Sequence, residues 1–247
     1  MPRKSRSSSR NKKKGSSSNT EFVLFILFWA AVLIETIALY KCKYPFYIVS
    51  RMCVVPILLI RIFSSQMRKK LNVFIYIGLL ASITADAFTI FGGYFPYSLD
   101  YIGLSMFSLS YLAFGCALQQ FKNIHNRSYI FFIVFTILLA SVNVLWIYAP
   151  EARKPVFYTQ ISIHIGILIF LIFATISTIK RVKLLGVNIL LWATVAIIIT
   201  NIIFGIDILL LNRLHPSVDG LVGLGNGVYL FLLTKGFIAE AKSEINV

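Results

Sequence analysis

Apolar residues run along this chain in long stretches, interrupted by short clusters of Lys, Arg, Pro, Asn and Gly. Breaking the chain at those clusters gives eight segments, approximately 21–40, 46–62, 71–92, 101–120, 128–149, 157–179, 184–211 and 219–239. A helix crosses the hydrocarbon core in about twenty residues, a tilted strand in about ten. The stretches have helical length and lack strict alternation. In lipid every backbone N–H and C=O needs an internal partner, which only helices and closed barrels supply. The pattern therefore predicts an all-α polytopic bundle of about eight transmembrane helices. The breaks are short, so residues 21–240 form one bundle. A tail of residues 1–20 precedes it and a short tail of 241–247 follows.

Composition agrees with that pattern. Hydrophobic residues make up 58% of the 247 and charged residues 13%, with a mean hydropathy of +0.81. A soluble domain carries about 25% charged residues. The bilayer is the expected solvent, and the chain is expected to be an integral multi-pass protein. Its host is the plasma membrane in a bacterium or the endoplasmic reticulum in a eukaryotic cell.

Charge adds orientation. The formal charge is +15, which in a soluble protein would suggest nucleic acid. Here seven of the 24 basic residues fall in MPRKSRSSSRNKKK, the first fourteen positions. A tail so rich in Ser, Lys and Arg is expected to be structureless. Its partner is expected to be anionic headgroups, at roughly 1 kcal/mol per basic residue near the surface, and not nucleic acid. The first apolar run exceeds the about 7–15 residues of a cleaved h-region, so it reads as a signal anchor. Placing the N-terminus in the cytoplasm puts seventeen Lys and Arg on the inner side and five in outer loops. The positive-inside rule then predicts that both termini are cytoplasmic.

Candidate chemistry lies in the few polar residues inside the spans. Asp86, in LLASITADAFTIFGG, and Asp207, in TNIIFGIDILLLNRL, are acids surrounded by apolar residues. An acid at bilayer depth costs a few kcal/mol or more unless paired, hydrated or protonated, so by default it marks a site. In the predicted topology Asp86, Asp207, Arg51, Glu35, Asn143 and His164 share the outer half of the bilayer, which suggests a cavity open to that side. A structural reading stands beside this one. Either Asp pairs with Arg51 or a hydroxyl, Glu35 pairs with Arg51, His164 packs against a neighbouring carbonyl, and Asn201 and Asn226 join helices. HExxH, CxxC, GxSxG and P-loop patterns are absent. Cys42, Cys53 and Cys116 form no metal motif or disulfide framework. Two carboxylates without metal ligands point to acid–base work, one acid protonated and the other ionised. No cofactor or metal is expected.

Four stretches carry a further signal. ADAFTIF (85–91) precedes YIGLSMFSLSYLAF (101–114), FGIDILLLNRL (204–214) comes late, and RMCVVPILLI (51–60) comes early. In order and spacing they resemble the YhhN-like family of polytopic membrane proteins, whose characterised members are lysoplasmalogenases. That family's Gly-Asp pair, and the Gly-Leu and Phe of its next helix, match at Asp86, Gly103, Leu104 and Phe107. Its later acidic motif matches at Phe204, Asp207, Leu210, Asn212 and Arg213, and its Lys-Pro helix is echoed by Arg51 and Pro56. The chain departs from the family at Ala85 and Ile206 beside the two acids. It also departs at Tyr111 in the His position, at Phe114, and at Lys235 in place of a Gln. The resemblance covers about 46–239. It implies a hydrolase of the vinyl-ether bond of lysoplasmalogens, with Asp86 and Asp207 catalytic and Arg51, Tyr111, Asn212 and Lys235 toward the single-chain ether lysophospholipid. The alternative is a non-enzymatic lipid-binding or transport protein using the same polar cavity.

Overall fold

The computed structural model describes residues 8–41, 43–64, 73–91, 100–120, 125–179, 185–209 and 216–243. Among them are eight α-helices: α1 Ser8–Tyr40, α2 Tyr44–Ser64, α3 Val73–Phe91, α4 Asp100–Gln120, α5 His125–Tyr148, α6 Arg153–Ile179, α7 Leu185–Leu209 and α8 Pro216–Ser243. No strand occurs among the described residues. Every helix contains a segment long and apolar enough to cross a membrane. The eight segments coincide with the apolar runs of the sequence to within a few residues.

Two boundaries differ from the expected ones. Helix α1 begins at Ser8, upstream of the apolar run, and its membrane-length segment begins at Asn19. The composition predicted a structureless tail to residue 20. Residues 8–18 continue the helix that the apolar run nucleates. Helix α6 begins at Arg153 rather than 157. Pro155 is tolerated there because first-turn N–H groups have no intrahelical acceptor.

The packing order is a ring. Helices α1, α2, α3, α4, α6, α7 and α8 touch in succession, and α8 closes back onto α1 and α2. Helix α5 packs outside, against α4 and α6. Burial follows this order: 72% of the most apolar window of α4 is buried, against 11% for α5. Helices α4 and α8 are joined across the ring by aromatic rings. Tyr229 meets Tyr111 at 5.8 Å and Phe114 at 6.2 Å, and Phe114 meets Phe237 at 6.3 Å between centroids. Outward, large apolar side chains such as Ile37, Ile137, Phe173 and Trp192 are exposed, as a lipid-facing surface requires.

Small residues set how closely α8 approaches α1. A Cβ added at Gly227 would lie 2.8 Å from the methyls of Val32, and one at Gly220 would lie 3.2 Å from the carbonyl oxygen of Thr36. This is the small-xxx-small solution for helices that cannot rely on a hydrophobic driving force. In-span hydroxyls are satisfied locally. Thr36, Ser50, Ser82 and Thr89 each donate to the carbonyl four residues back, so their polarity adds no cost in lipid.

Thermal unfolding in detergent should separate two alanine substitutions. Gly227→Ala overpacks the α1–α8 contact and should cost about 1–3 kcal/mol. Gly166→Ala, with nothing within 4 Å of its new Cβ, should be neutral or stabilising by about 0.5–1 kcal/mol. Equal responses would remove the close approach as a determinant of the fold.

Candidate functional site: a buried Glu–Arg–Asp cluster

Three helices each bring one charge to a common point. On α1 the buried stripe Phe28, Ala31, Val32, Glu35 and Ala38 repeats at three and four residues, so Glu35 lies on the packed face. On α3 the same spacing runs through Gly78, Leu79, Ser82, Ala85 and Asp86. On α2, Arg51 flanks the buried face of Ser50, Val54, Val55 and Leu58. The Arg51 Nε donates to Asp86 Oδ1 at 2.8 Å and its Nη1 donates to Glu35 Oε1 at 3.0 Å. Glu35 is 4% exposed and Asp86 7%. The guanidinium also lies 5.8 Å from the ring of Tyr47, one turn back on α2.

Neighbouring residues hold this geometry. Gly223 on α8 leaves room for Glu35, since a Cβ there would come within 2.9 Å of Glu35 Oε1. Pro56 lies inside α2 and cannot donate to the carbonyl of Met52, which releases one helical bond just past Arg51. Gly103 allows α4 to approach α3, because a Cβ there would meet the backbone oxygen of Ala85 at 3.2 Å. Ser82 and Ser110 link the same helices at 2.8 Å.

The cluster borders a cavity of about 20 Å³. Helices α1, α2 and α3 contribute Glu35, Arg51, Val54, Ser82 and Asp86; α4 contributes Phe107 and Tyr111; α8 contributes Gly223, Asn226, Gly227, Tyr229 and Leu230. Space of this size holds roughly one water. Tyr229 is 1% exposed, and its hydroxyl has no hydrogen-bond partner among the described residues.

A second polar cluster adjoins the first through Tyr111. His164 on α6 pairs its Nδ1 with Ser108 Oγ at 2.7 Å and its Nε2 with Asn201 Oδ1 at 3.0 Å. Asn201 Nδ2 donates to the carbonyl of Ile197, so its oxygen faces the imidazole. That arrangement puts a proton on Nε2; the Ser108 hydroxyl meets Nδ1 and also donates to the carbonyl of Leu104 at 2.9 Å. The Tyr111 ring lies 5.5 Å from that of His164, and its hydroxyl interacts with Asn201. The two clusters together cross the ring from α1 to α7.

The residues singled out in the sequence divide accordingly. Asp86, Arg51 and Tyr111 meet at the cavity. Asp207 lies within α7, but its side chain is outside the described residues, as is Asn212. Helices α3 and α7 do not pack together among the described residues. The observed acidic neighbour of Asp86 is Glu35. Lys235 is exposed on α8, about 9 Å along the axis from Tyr229, and is not among the residues lining the cavity. Asn143 accepts from Ser105 at 2.9 Å, joining α4 to α5 away from the cavity. Sequence reasoning missed Tyr229 and Ser82, and singled out Phe107 only as part of the resemblance. The recurring glycines of α8 around Asn226 could have marked that helix as a wall; nothing set Tyr229 apart from the other tyrosines.

The fold and site define a helical protein of multi-pass type, with a buried ion cluster where three of its eight apolar helices meet. Compared with known proteins, the chain matches no family model, no curated protein and no solved structure.

Arg51→Met should be the most damaging single change at the cluster. It strands two buried carboxylates, and breaking a buried pair typically costs about 3–5 kcal/mol. The triple variant Glu35→Gln, Arg51→Met, Asp86→Asn removes all the charge and should recover most of that loss. Unfolding of both variants in detergent checks this, and a triple variant no more stable than Arg51→Met would refute it.

Proposed function

We propose that the chain is a membrane-embedded hydrolase that cleaves the vinyl-ether bond of lysoplasmalogens, with Asp86 and Asp207 sharing the acid–base work. The observation that carries this reading is a carboxylate, Asp86, buried on the wall of a small cavity and held by Arg51, with Tyr111 and Tyr229 among the other lining residues. The resemblance around both acids supports it. Proton transfer to the alkene carbon turns the vinyl ether into an oxocarbenium ion. Water captures that ion, and the hemiacetal collapses to a fatty aldehyde and a glycerophospho-headgroup. A protonated carboxyl supplies the proton; an ionised one stabilises the cation and takes a proton from water. The cavity has room for the attacking water but not for a lipid, so the substrate approaches from the bilayer. Arg51 is committed to two carboxylates. Its role is to orient Asp86, and the substrate phosphate falls to a cation of the outer loops.

In this reading the eight helices span the bilayer with both termini in the cytoplasm. The support is the division of basic residues, seventeen inside and five outside. A reporter fused to the C-terminus should stay on the cytoplasmic side, and an external reporter would reverse the assignment.

The second reading is a non-enzymatic lipid-binding or transport protein. The ion pair of Asp86 with Arg51 favours it, because a carboxylate paired with a guanidinium is held in its ionised form and carries no proton to donate. Aldehyde release from lysoplasmalogen by purified protein separates the two. Asp86→Asn and Asp207→Asn should each lower the rate by orders of magnitude while the protein still folds, since cooperating groups act as a unit. Chelators should have no effect, and an ester-linked lysophospholipid should be a poor substrate. An Asp86→Asn protein with wild-type activity would sink the mechanism. Wild-type protein that binds the lipid without releasing aldehyde would establish the second reading.

A further inference from the structure

The hydrogen bonds of His164 accommodate two charge states. The imidazole is buried, and each ring nitrogen has one partner: Ser108 Oγ at Nδ1 and Asn201 Oδ1 at Nε2. An amide oxygen only accepts, so Nε2 carries a proton in either state. Ser108 decides the other nitrogen. Its hydroxyl has one proton and two acceptors within reach, Nδ1 at 2.7 Å and the carbonyl of Leu104 at 2.9 Å. With the proton toward Nδ1, the ring is neutral. With the proton toward Leu104, the Oγ lone pairs receive an N–H from Nδ1 and the ring is an imidazolium. Rotation of one hydroxyl exchanges the two states, and both ring nitrogens stay bonded in each.

We propose that His164 is a reversible proton-binding site inside the bundle, with the surplus carboxylate of the Glu35–Arg51–Asp86 cluster as its counter-charge. The second observation is the charge of that cluster. Two carboxylates face one guanidinium, so with all three ionised one negative charge is left over. An uncompensated charge inside an apolar bundle costs several kcal/mol. An imidazolium on α6 brings the four groups to neutrality. Tyr111 borders both parties. Its ring lies 5.5 Å from the imidazole, its hydroxyl interacts with Asn201, and it lines the cavity beside Glu35 and Asp86.

Helix α6 packs against α4, α5 and α7, and few other groups compete for the role. From α4 the imidazole meets Ser108 and Tyr111. Between residues 129 and 148, α5 has Tyr129 and Tyr148 as its titratable groups, at the two ends. Between residues 188 and 206, α7 has none, and it offers the neutral Asn201. Asp207 follows on α7, with its side chain outside the described residues. On α6 itself Arg153, Lys154 and Tyr158 lie toward the first turns. In the hydrolase reading, His164 is a proton store beside a cavity whose own Asp86 is held ionised. The proton site itself needs no substrate, and its test contains no lipid to cleave, so the outcome is independent of aldehyde release.

The test is nitrogen-15 magnetic resonance of histidine-labelled full-length protein in detergent, which distinguishes a protonated ring nitrogen from a bare one. His125→Gln and His215→Gln remove the other two histidines and leave His164 as the single signal. From about pH 8 to about pH 5, Nε2 should stay protonated while Nδ1 passes from bare to protonated. At a fixed pH near the ordinary imidazole value, about 6.5, Glu35→Gln should lower the imidazolium share by about half or more, because it removes the surplus charge. Ser108→Ala removes the acceptor that Nδ1–H needs. It should lower the share to a similar degree while leaving the cluster untouched. An Nδ1 signal that stays bare, or stays protonated, across the whole range would overturn the proposal. A titration identical in the parent protein, Glu35→Gln and Ser108→Ala would overturn it as well.

Discussion

The guanidinium of Arg51 is the contact on which the inner architecture turns. It reaches two carboxylates on two other helices, at 2.8 and 3.0 Å, and so fixes α1, α2 and α3 at one level. Apolar side chains cannot do this in a bilayer, where the lipid tails are as apolar as the helix faces and sliding one helix past another changes little. A charge bridge has a single register. Moving any of the three helices by one turn, about 5.4 Å, would leave a charge unpaired in a medium that penalises it heavily.

Glycine is the other half of the same constraint. Glu35 can reach inward because Gly223 on α8 offers no side chain to occupy its place, and α8 lies close to α1 because Gly227 yields to Val32. The charges require that neighbouring backbones come close, and the small residues permit it. Aromatic rings of α4 and α8 fill the rest of the ring interior. A cavity of about 20 Å³ lies beside the charges. Tyr111 borders that space and also contacts His164, so the ion cluster and the Ser108–His164–Asn201 chain are two parts of one polar layer.

Helix number and position were legible in the sequence because the bilayer imposes one period and one length on apolar runs. The eight stretches match the eight helices closely. The pairing of Glu35 with Arg51 was legible too, since few in-span charges exist and unlike charges have little else to meet. The site as a whole was harder to read. Asp86 and Asp207 look alike in sequence, each a lone acid in an apolar run; Asp86 lines the cavity, and the side chain of Asp207 lies outside the described residues. Shared depth could not reveal which helices are neighbours around a ring. Asn143 has the right depth and faces α5's contact with α4 instead. Tyr229 is one tyrosine among twelve, and its importance comes from a missing hydrogen bond, which only coordinates reveal.

An ion bridge that orders three helices also limits the chemistry those charges can perform. A carboxylate that holds the fold together must keep its partner, whereas one that donates a proton must change charge during each cycle. The cluster can do both only because it has one carboxylate more than its guanidinium neutralises. Glu35 can retain Arg51 while Asp86 gains or loses a positive charge, so the registry of α1 and α2 survives the change. In the proposed hydrolase, that surplus acid would let the buried cluster exchange charge. A simple Arg–Asp pair at the same depth would tie only α2 to α3 and would lack it.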